Sequence, residues 1–447
     1  MTDPIISVSG LRGVVGEGLT PEVAIRYVAA FASGCGPGPI IVSRDGRFSG
    51  EMLAKAVHAG LQAVGRDTIE AGIAPTPTLG ILVRHCRAAG GVQISASHNP
   101  PEYNGLKLFS AEGRVLPAGI GQQVLARYGS PISSWVRHDR LGRTDSLADP
   151  LTPHLEAVLA TVDAERIRRK RFRVLLDSNH GAGGRLGRQL LEALGCQVVV
   201  LGEEPDGRFA HPPEPTAENL AGVLAEVVQA QADIGFCQDP DADRLAVIDA
   251  SGRYLGEEYT LALCVNHVLS RRRGPIAANC STSRMSQDLA EKYGVPFIRS
   301  AVGEANVVDA MLAHHAVFGG EGNGGPIDPR VGLVRDSFVG MAQLLDAMAE
   351  RDAPIGQLAD ELPRYHIVKT KIALDPGQAP AALASLEKRF TNANVDRLDG
   401  LRFDWPDRWL LVRPSNTEPI VRAVAEAATA ADAESLCRQA AAILARS

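Results

Sequence analysis

The densest polar segment in the 447 residues is Asp239-Pro240-Asp241-Ala242-Asp243-Arg244. Three carboxylates at alternate positions of one loop can converge on a single hard cation. Such an oxygen-only donor set suits Mg²⁺, Mn²⁺ or Ca²⁺ rather than zinc. An EF-hand is excluded, because its sixth and twelfth loop positions need glycine and glutamate and here hold Arg244 and Ala250. The competing reading is an acidic surface turn between two strands.

Ser95-Ala96-Ser97-His98-Asn99-Pro100-Pro101, with Lys107 shortly after, is the second such segment. It follows the apolar Gly91–Ile94 and so sits at a strand end, where open α/β sheets place ligands. A serine hydroxyl needs a base or a metal to become a nucleophile. His98 and Lys107 could each move a proton, although adjacency of Ser97 and His98 makes no triad. A plain Ser/Asn/Pro turn explains this segment equally well on its own. Arg413-Pro414-Ser415-Asn416-Thr417-Glu418-Pro419 offers a guanidinium, two hydroxyls and an amide for a phosphate. A capping box from Ser415 to Glu418 is the alternative, but residues 420–425 alternate like a strand and leave no helix to cap. In Gly319-Gly320-Glu321-Gly322-Asn323-Gly324-Gly325, glycines allow close backbone approach and leave Glu321 and Asn323 to bond hydroxyls. A flexible turn fits that run just as well. Gly10-Leu11-Arg12-Gly13 is the weakest of the set.

The elements that must carry these loops are legible from hydrophobic periodicity. Residues 39–43, 173–177, 197–201, 233–237 and 245–249 read as strands, and 50–64 and 185–194 as helices. Strand–helix alternation predicts α/β architecture with parallel sheets covered by helices. The last eighty or so residues group strands at 366–374, 409–412 and 420–425 beside a helix at 431–445, which predicts a smaller α+β domain. Turn formers place joints near Asp149-Pro150, Ser251-Gly252 and Pro363. Length alone suggests about three domains.

Composition narrows the function classes. The chain is 45% hydrophobic and 22% charged, which excludes a disordered tail, a collagen-like fibre and a coiled coil. No stretch reaches the roughly 18 apolar residues of a membrane span, and residues 1–10 lack a secretory signal. Seven scattered cysteines without a CxxC pair argue for reduced thiols and a cytoplasmic protein. A net charge of −6 argues against nucleic acid and anionic membranes as partners. The short basic runs 168–171 and 271–273 read as solvated helix ends or loops.

Taken together, the motifs resemble those of the α-D-phosphohexomutases, which include phosphoglucomutases, phosphomannomutases and phosphoglucosamine mutases. Ser97-His98-Asn99-Pro100 resembles their phosphoserine loop and Asp239–Arg244 their metal loop. Gly320–Gly324 is similar to the sugar-recognition loop and Arg413–Glu418 to the phosphate-binding loop, all in the family's order. The resemblance implies four domains around a central cleft: three related α/β domains with mixed sheets and a smaller α+β C-terminal domain. The expected bounds are 1–149, 150–252, 253–364 and 365–447, one motif in each, and they replace the count of three.

The implied reaction moves a phosphoryl group between the 6- and 1-positions of a hexose phosphate through a phosphoserine and a 1,6-bisphosphate. Ser97 would carry the phosphoryl group. One Mg²⁺ would be held by Asp239, Asp241, Asp243 and a phosphoryl oxygen on Ser97, with Arg244 neutralising charge. Lys107 would be the general acid/base, assisted by His98. Arg413, Ser415, Asn416 and Thr417 would grip the non-reacting phosphate, Glu321 and Asn323 would read sugar hydroxyls, and Arg12 would line the cleft. Glucose or glucosamine 1,6-bisphosphate would be activator and intermediate, and the chain would be a monomer or homodimer.

Pro240 and Ala242 stand where the family often has glycine, Asn323 where serine is frequent and Gly325 where histidine is frequent. Similar Gly-Glu-Gly-Asn-Gly-Gly loops occur both in phosphoglucosamine mutases and in broad phosphomannomutase/phosphoglucomutases of the family; glucosamine phosphate is the expected substrate, with the broad enzyme as the alternative. A metal-dependent phosphatase using Ser97 as a transient phosphoserine would not need the 413–417 segment. A non-catalytic sugar-phosphate binder would not need Ser97, Lys107 and all three aspartates.

Overall fold

The computed structural model describes residues 4–7, 10–131, 135–374, 378–414 and 420–445. Four sheets follow one another along the chain. The first orders its seven strands as Ile5–Ser7, Gly10–Val14, Tyr103–Ser110, Gly90–Ile94, Ile40–Arg44, Thr68–Ile73 and Thr144–Ser146. The second is Leu245–Asp249, Ile234–Gln238, Arg173–Asp177 and Gln197–Leu201. Phe297–Ser300, Ile276–Asn279, Phe318–Glu321 and Gly325–Ile327 make the third. The fourth, wholly antiparallel, runs His366–Ala373, Ile420–Ala427, Trp409–Pro414, Leu401–Asp404 and Asn394–Asp396.

The first three sheets are mixed rather than purely parallel, as the family resemblance implied and simple alternation did not. The reason is the same in each. A strand of the parallel set turns back through a hairpin, so one edge runs antiparallel. Those hairpins are Gly90–Ile94 with Tyr103–Ser110, Ile234–Gln238 with Leu245–Asp249, and Phe318–Glu321 with Gly325–Ile327. Their connections are the loops holding Ser97, the three aspartates and Asn323. In the fourth sheet, Pro414 pairs with Val421 across the remaining motif, residues 415–419, which lies outside the described residues.

The second and third sheets share one core, which unites Leu176, Phe236 and Val247 with Leu261, Phe318 and Phe338. The first sheet packs separately around Leu11, Val42, Val92 and Leu106, and the fourth around Phe403, Leu410, Val412 and Ala440. Strand Trp409–Pro414 serves two purposes through its period of two. Leu410 and Val412 face their own core, while Trp409 and Leu411 join Cys280 and Val424 at the seam with the third sheet. Among the described residues, no helix is long and apolar enough to cross a membrane.

Helix Ser337–Arg351, buried from Ser337 to Ala349, organises the junction of the first three sheets. Its cap, Asp336, accepts from Phe338 N–H at 2.9 Å and Val339 N–H at 3.2 Å. The same carboxylate bonds His154 Nε2 at 2.8 Å, and His154 Nδ1 lies 2.8 Å from the Thr78 hydroxyl. Asp336→Ala removes a cap and strands a buried imidazole. Its unfolding free energy should fall by about 2–4 kcal/mol, and Asp336→Asn should lose less. Denaturant melts check this, and an unchanged midpoint for the alanine variant would contradict the assigned junction.

Candidate active site

Ser97 is buried at the end of strand Gly90–Ile94 with φ of 51°, a left-handed backbone that costs a non-glycine residue energy. The fold holds it there through a clamp on the opposite side of the loop. Arg47, itself 1% exposed, donates from Nη2 to the carbonyls of Ser97 (2.7 Å) and Asn99 (2.6 Å). From Nη1 it donates to those of Pro100 (2.6 Å) and Tyr103 (2.9 Å). Asp45 orients the guanidinium at 3.1 Å and accepts the Ser95 hydroxyl at 2.7 Å. Ser95 in turn accepts the Ser97 N–H at 2.9 Å. With the carbonyls drawn towards Arg47, the Ser97 hydroxyl reaches the acidic loop and donates to Asp239 Oδ2 at 2.8 Å.

Asp239, Asp241 and Asp243 are fully buried, and one oxygen from each lies within 4.8 Å of the others. Lys107 Nζ bridges Asp241 at 2.5 Å and Asp243 at 3.1 Å. Thr76, at the start of helix Thr76–His85, donates its hydroxyl to Asp241 at 2.5 Å. Arg335 donates to Asp243 at 2.7 Å. These bonds occupy the Oδ2 atoms. Among the described residues, the Oδ1 atoms of Asp241 and Asp243 are buried without a hydrogen-bond partner. Buried orphan acceptors beside a third carboxylate are what a hard divalent cation would satisfy, so the residues fit such an ion.

The charges confirm the strain on this cluster. Burial and the neighbouring Asp243 and Asp241 push the Asp239 carboxyl far above its ordinary range. Burial also works against ionised Asp241, yet Lys107 and Thr76 outweigh it and hold that carboxyl well below the usual range. Lys107 loses by burial but gains more from Asp241 and Asp243, so its ammonium is held above the ordinary lysine value. His98 differs: burial, then Arg244 and Arg12, push its imidazole down to about 2. With Nδ1 3.4 Å from the Ser97 hydroxyl, neutral His98 can share a hydrogen bond there, but so depressed an imidazole is a weak base and does not stand ready as an imidazolium acid.

Arg12 faces the serine loop, with Nη1 3.3 Å from Asn99 Oδ1. Arg244 lies beside the acidic loop, its Nε 3.8 Å from Asp243. Glu321 is fixed by Asn279 at 2.7 Å, Gly303 N–H at 3.1 Å and Arg335 at 2.9 Å. Asn323 Oδ1 is buried without a partner among the described residues. Gly324, with φ of 82°, accepts the Leu245 N–H at 2.8 Å, so the glycine-rich loop of residues 319–325 abuts the acidic loop. Arg413 ion-pairs Asp399 at 3.3 Å, and Asp399 also accepts Val302 N–H at 3.0 Å. Ser415, Asn416 and Thr417 lie outside the described residues. The structure thus brings Ser97, His98, Lys107, Arg12, Arg244 and the three aspartates together, with Glu321 joined to them through Arg335.

A phosphoglucomutase/phosphomannomutase of Thermococcus kodakarensis is 38% identical over 427 residues, covering 94% of this chain and 93% of its own. The chain belongs to the phosphoglucomutase/phosphomannomutase family. That family's alpha/beta/alpha domain I matches residues 4–131, domain II 152–252, domain III 257–365 and the C-terminal domain 370–443. A "Probable phosphoglucosamine mutase" of Methanopyrus kandleri is 33% identical, covering 94% of this chain and 93% of its own. A phosphoglucomutase/phosphomannomutase family protein of Burkholderia thailandensis superposes with a TM-score of 0.86 at 28% identity, covering 98% and 96% of the two chains. This family member is therefore a phosphohexomutase enzyme with four domains.

Several residues of the site escaped the sequence reading. Arg47 and Asp45 follow a strand end, so the strand-edge rule that flagged Ser97 could have flagged them. Thr76, Glu304 and Arg335 carry no local signal. Gly325 has a physical reason: a side chain there would lie 2.4 Å from Arg335 Cδ.

Glu258 lies directly against the glycine-rich 319–325 loop, because a side chain at Gly322 would sit 1.9 Å from its Oε2. Burial, aided by Glu426 and Glu257, pushes its carboxyl from 4.5 up to about 8, against Lys369 and the Ser283 N–H. The folded state therefore keeps a proton that the unfolded chain releases. Stability from this group is present below the unfolded value and is lost as pH rises through the folded one. Glu258→Gln should gain in melting temperature over the parent as pH rises from about 5 to 8. A gap that stays constant over that window would contradict the assignment.

Proposed function

We propose that the protein transfers a phosphoryl group between the 6- and 1-positions of a hexose phosphate, with a phosphoserine at Ser97 and a 1,6-bisphosphate intermediate. Glucosamine 6-phosphate is the proposed preferred substrate. The observation that carries the reading is the Ser97 hydroxyl, held in a strained conformation 2.8 Å from Asp239 inside a three-carboxylate site.

Each half-reaction breaks one oxygen–phosphorus bond and makes another. In the first, the sugar hydroxyl oxygen bonds phosphorus while the Ser97 Oγ–phosphorus bond breaks. In the second, the phosphoryl group at the other end of the sugar returns to Ser97 Oγ. Mg²⁺, held by Asp239, Asp241, Asp243 and a phosphoryl oxygen, would neutralise charge on the transferring group. Lys107 Nζ moves the proton between solvent-excluded oxygens, and Asp241 and Asp243 set how firmly it keeps that proton. Neutral His98 holds a ring nitrogen beside Ser97 and orients its oxygen by hydrogen bonding rather than by taking its proton. Arg244 and Arg12 line the phosphoryl path with positive charge. Arg413, with Ser415, Asn416 and Thr417, grips the phosphate that is not reacting, and Glu321 and Asn323 read the hydroxyls.

Ser97→Ala should abolish turnover even with glucose 1,6-bisphosphate present, while hexose phosphate affinity stays within a few-fold. Calorimetric binding beside a coupled assay separates the two, and near-normal turnover would remove the phosphoserine.

The 38% identity to a phosphoglucomutase/phosphomannomutase favours broad specificity as a second reading. Rates on glucosamine, mannose and glucose 6-phosphates decide between them. A kcat/KM at least tenfold higher for glucosamine phosphate, about 1.4 kcal/mol, is expected. Comparable values for all three would establish the broad enzyme instead.

A further inference from the structure

One guanidinium joins the loop proposed to hold the cation to the loop proposed to read the sugar. Arg335 precedes helix Ser337–Arg351, 14 residues after Glu321 and 92 after Asp243. Its Nη2 donates to Asp243 Oδ2 at 2.7 Å and its Nη1 to Glu321 Oε2 at 2.9 Å. Nε ion-pairs Glu304 at 3.3 Å, and the Arg335 backbone N–H donates to the same carboxylate at 3.0 Å. The side chain is 9% exposed, and its stem fills the space beside Gly325, where a Cβ would meet Arg335 Cδ at 2.4 Å and Cγ at 2.8 Å. The bare glycine is thus the complement of the buried arginine.

A guanidinium is a rigid planar fork, so it cannot turn towards one carboxylate without leaving the other. Asp243 Oδ2 is already shared with Lys107 at 3.1 Å, while its Oδ1 has no hydrogen-bond partner among the described residues. Arg335 therefore decides which oxygen of Asp243 stays available, and the same fork fixes the carboxylate plane of Glu321. We propose that Arg335 is a positioning residue that couples the two loops, so that cation binding at Asp243 and the hydroxyl-reading pose of Glu321 are set by a single side chain. This rests on reading Asp243 as a cation ligand. Removing the charge of Glu321 would let Arg335 bind Asp243 more tightly and compete harder with a cation. Linkage makes the effect reciprocal, so whatever loosens Asp243 also changes the hold on Glu321.

The test is Mg²⁺ titration calorimetry on the purified, divalent-stripped protein and on Glu321→Gln, Arg335→Lys and the double variant. Lysine keeps a buried charge but holds one carboxylate at a time. Glu321→Gln should weaken Mg²⁺ binding about tenfold when Arg335 is present and no more than about twofold when it is lysine. An equal factor in both backgrounds would overturn the coupling while leaving the cation site standing. A parent protein that binds no Mg²⁺ would overturn the cation reading and the inference together. Should Arg335→Lys not fold, Glu304→Gln loosens the guanidinium without deleting it and replaces it in the cycle. There the Glu321→Gln factor should change at least about threefold, and an unchanged factor would again overturn the proposal.

Discussion

Three carboxylates buried within 4.8 Å of one another are a charge that the protein interior cannot hold alone, and the surrounding architecture follows from that demand. The compensating groups come from outside the acidic loop and from different domains. Lys107 and Thr76 arrive from the first sheet and its helix, and Arg335 from the connection into the buried helix of the third. The acidic loop is therefore also a docking point: the cluster is neutralised only when the first three domains are assembled. A buried charge with one partner removed is costly, which makes the relative placement of those domains part of the site itself.

The same hairpin device is used four times. In each of the first three sheets a strand runs out to a loop of the candidate site and the chain returns antiparallel, and in the fourth Trp409–Pro414 pairs back with Ile420–Ala427 in the same sense. A hairpin fixes both ends of a short loop by backbone pairing, as Gln238 with Leu245 and Glu321 with Gly325 do here. Loops anchored in this way can abut with defined contacts, which is how Gly324 comes to rest on Leu245. The fourth domain is attached differently. It has its own core and meets the third along a small seam around Trp409 and Leu411, with Asp399 bridging Arg413 to the backbone of Val302.

Strain at Ser97 is compensated locally. Its left-handed backbone persists because Arg47 takes the carbonyls of Ser97, Asn99, Pro100 and Tyr103, and Asp45 and Ser95 close the circuit. Rigid support of this kind orders the serine hydroxyl before any ligand binds, a preorganisation that the proposed phosphoryl transfer would use.

The loops that meet at the candidate site and most of the elements beside them were legible in the residues. Strands 173–177, 197–201 and 245–249 coincide with those observed. Hydrophobic period, turn residues and donor types are local properties, and Asp239–Arg244 or Ser97–Pro100 show their donor groups within a few positions. The mixed sheets followed from the family pattern and not from periodicity, because a hairpin return and a helical crossover leave the same apolar run. What only the tertiary structure decided is which distant groups neutralise the buried charge. Arg335, Glu304, Thr76 and Arg47 look ordinary in sequence, since their roles depend on partners up to 165 residues away, as between Thr76 and Asp241. Charge compensation acts through space, and its partners become visible only when the chain has folded around them.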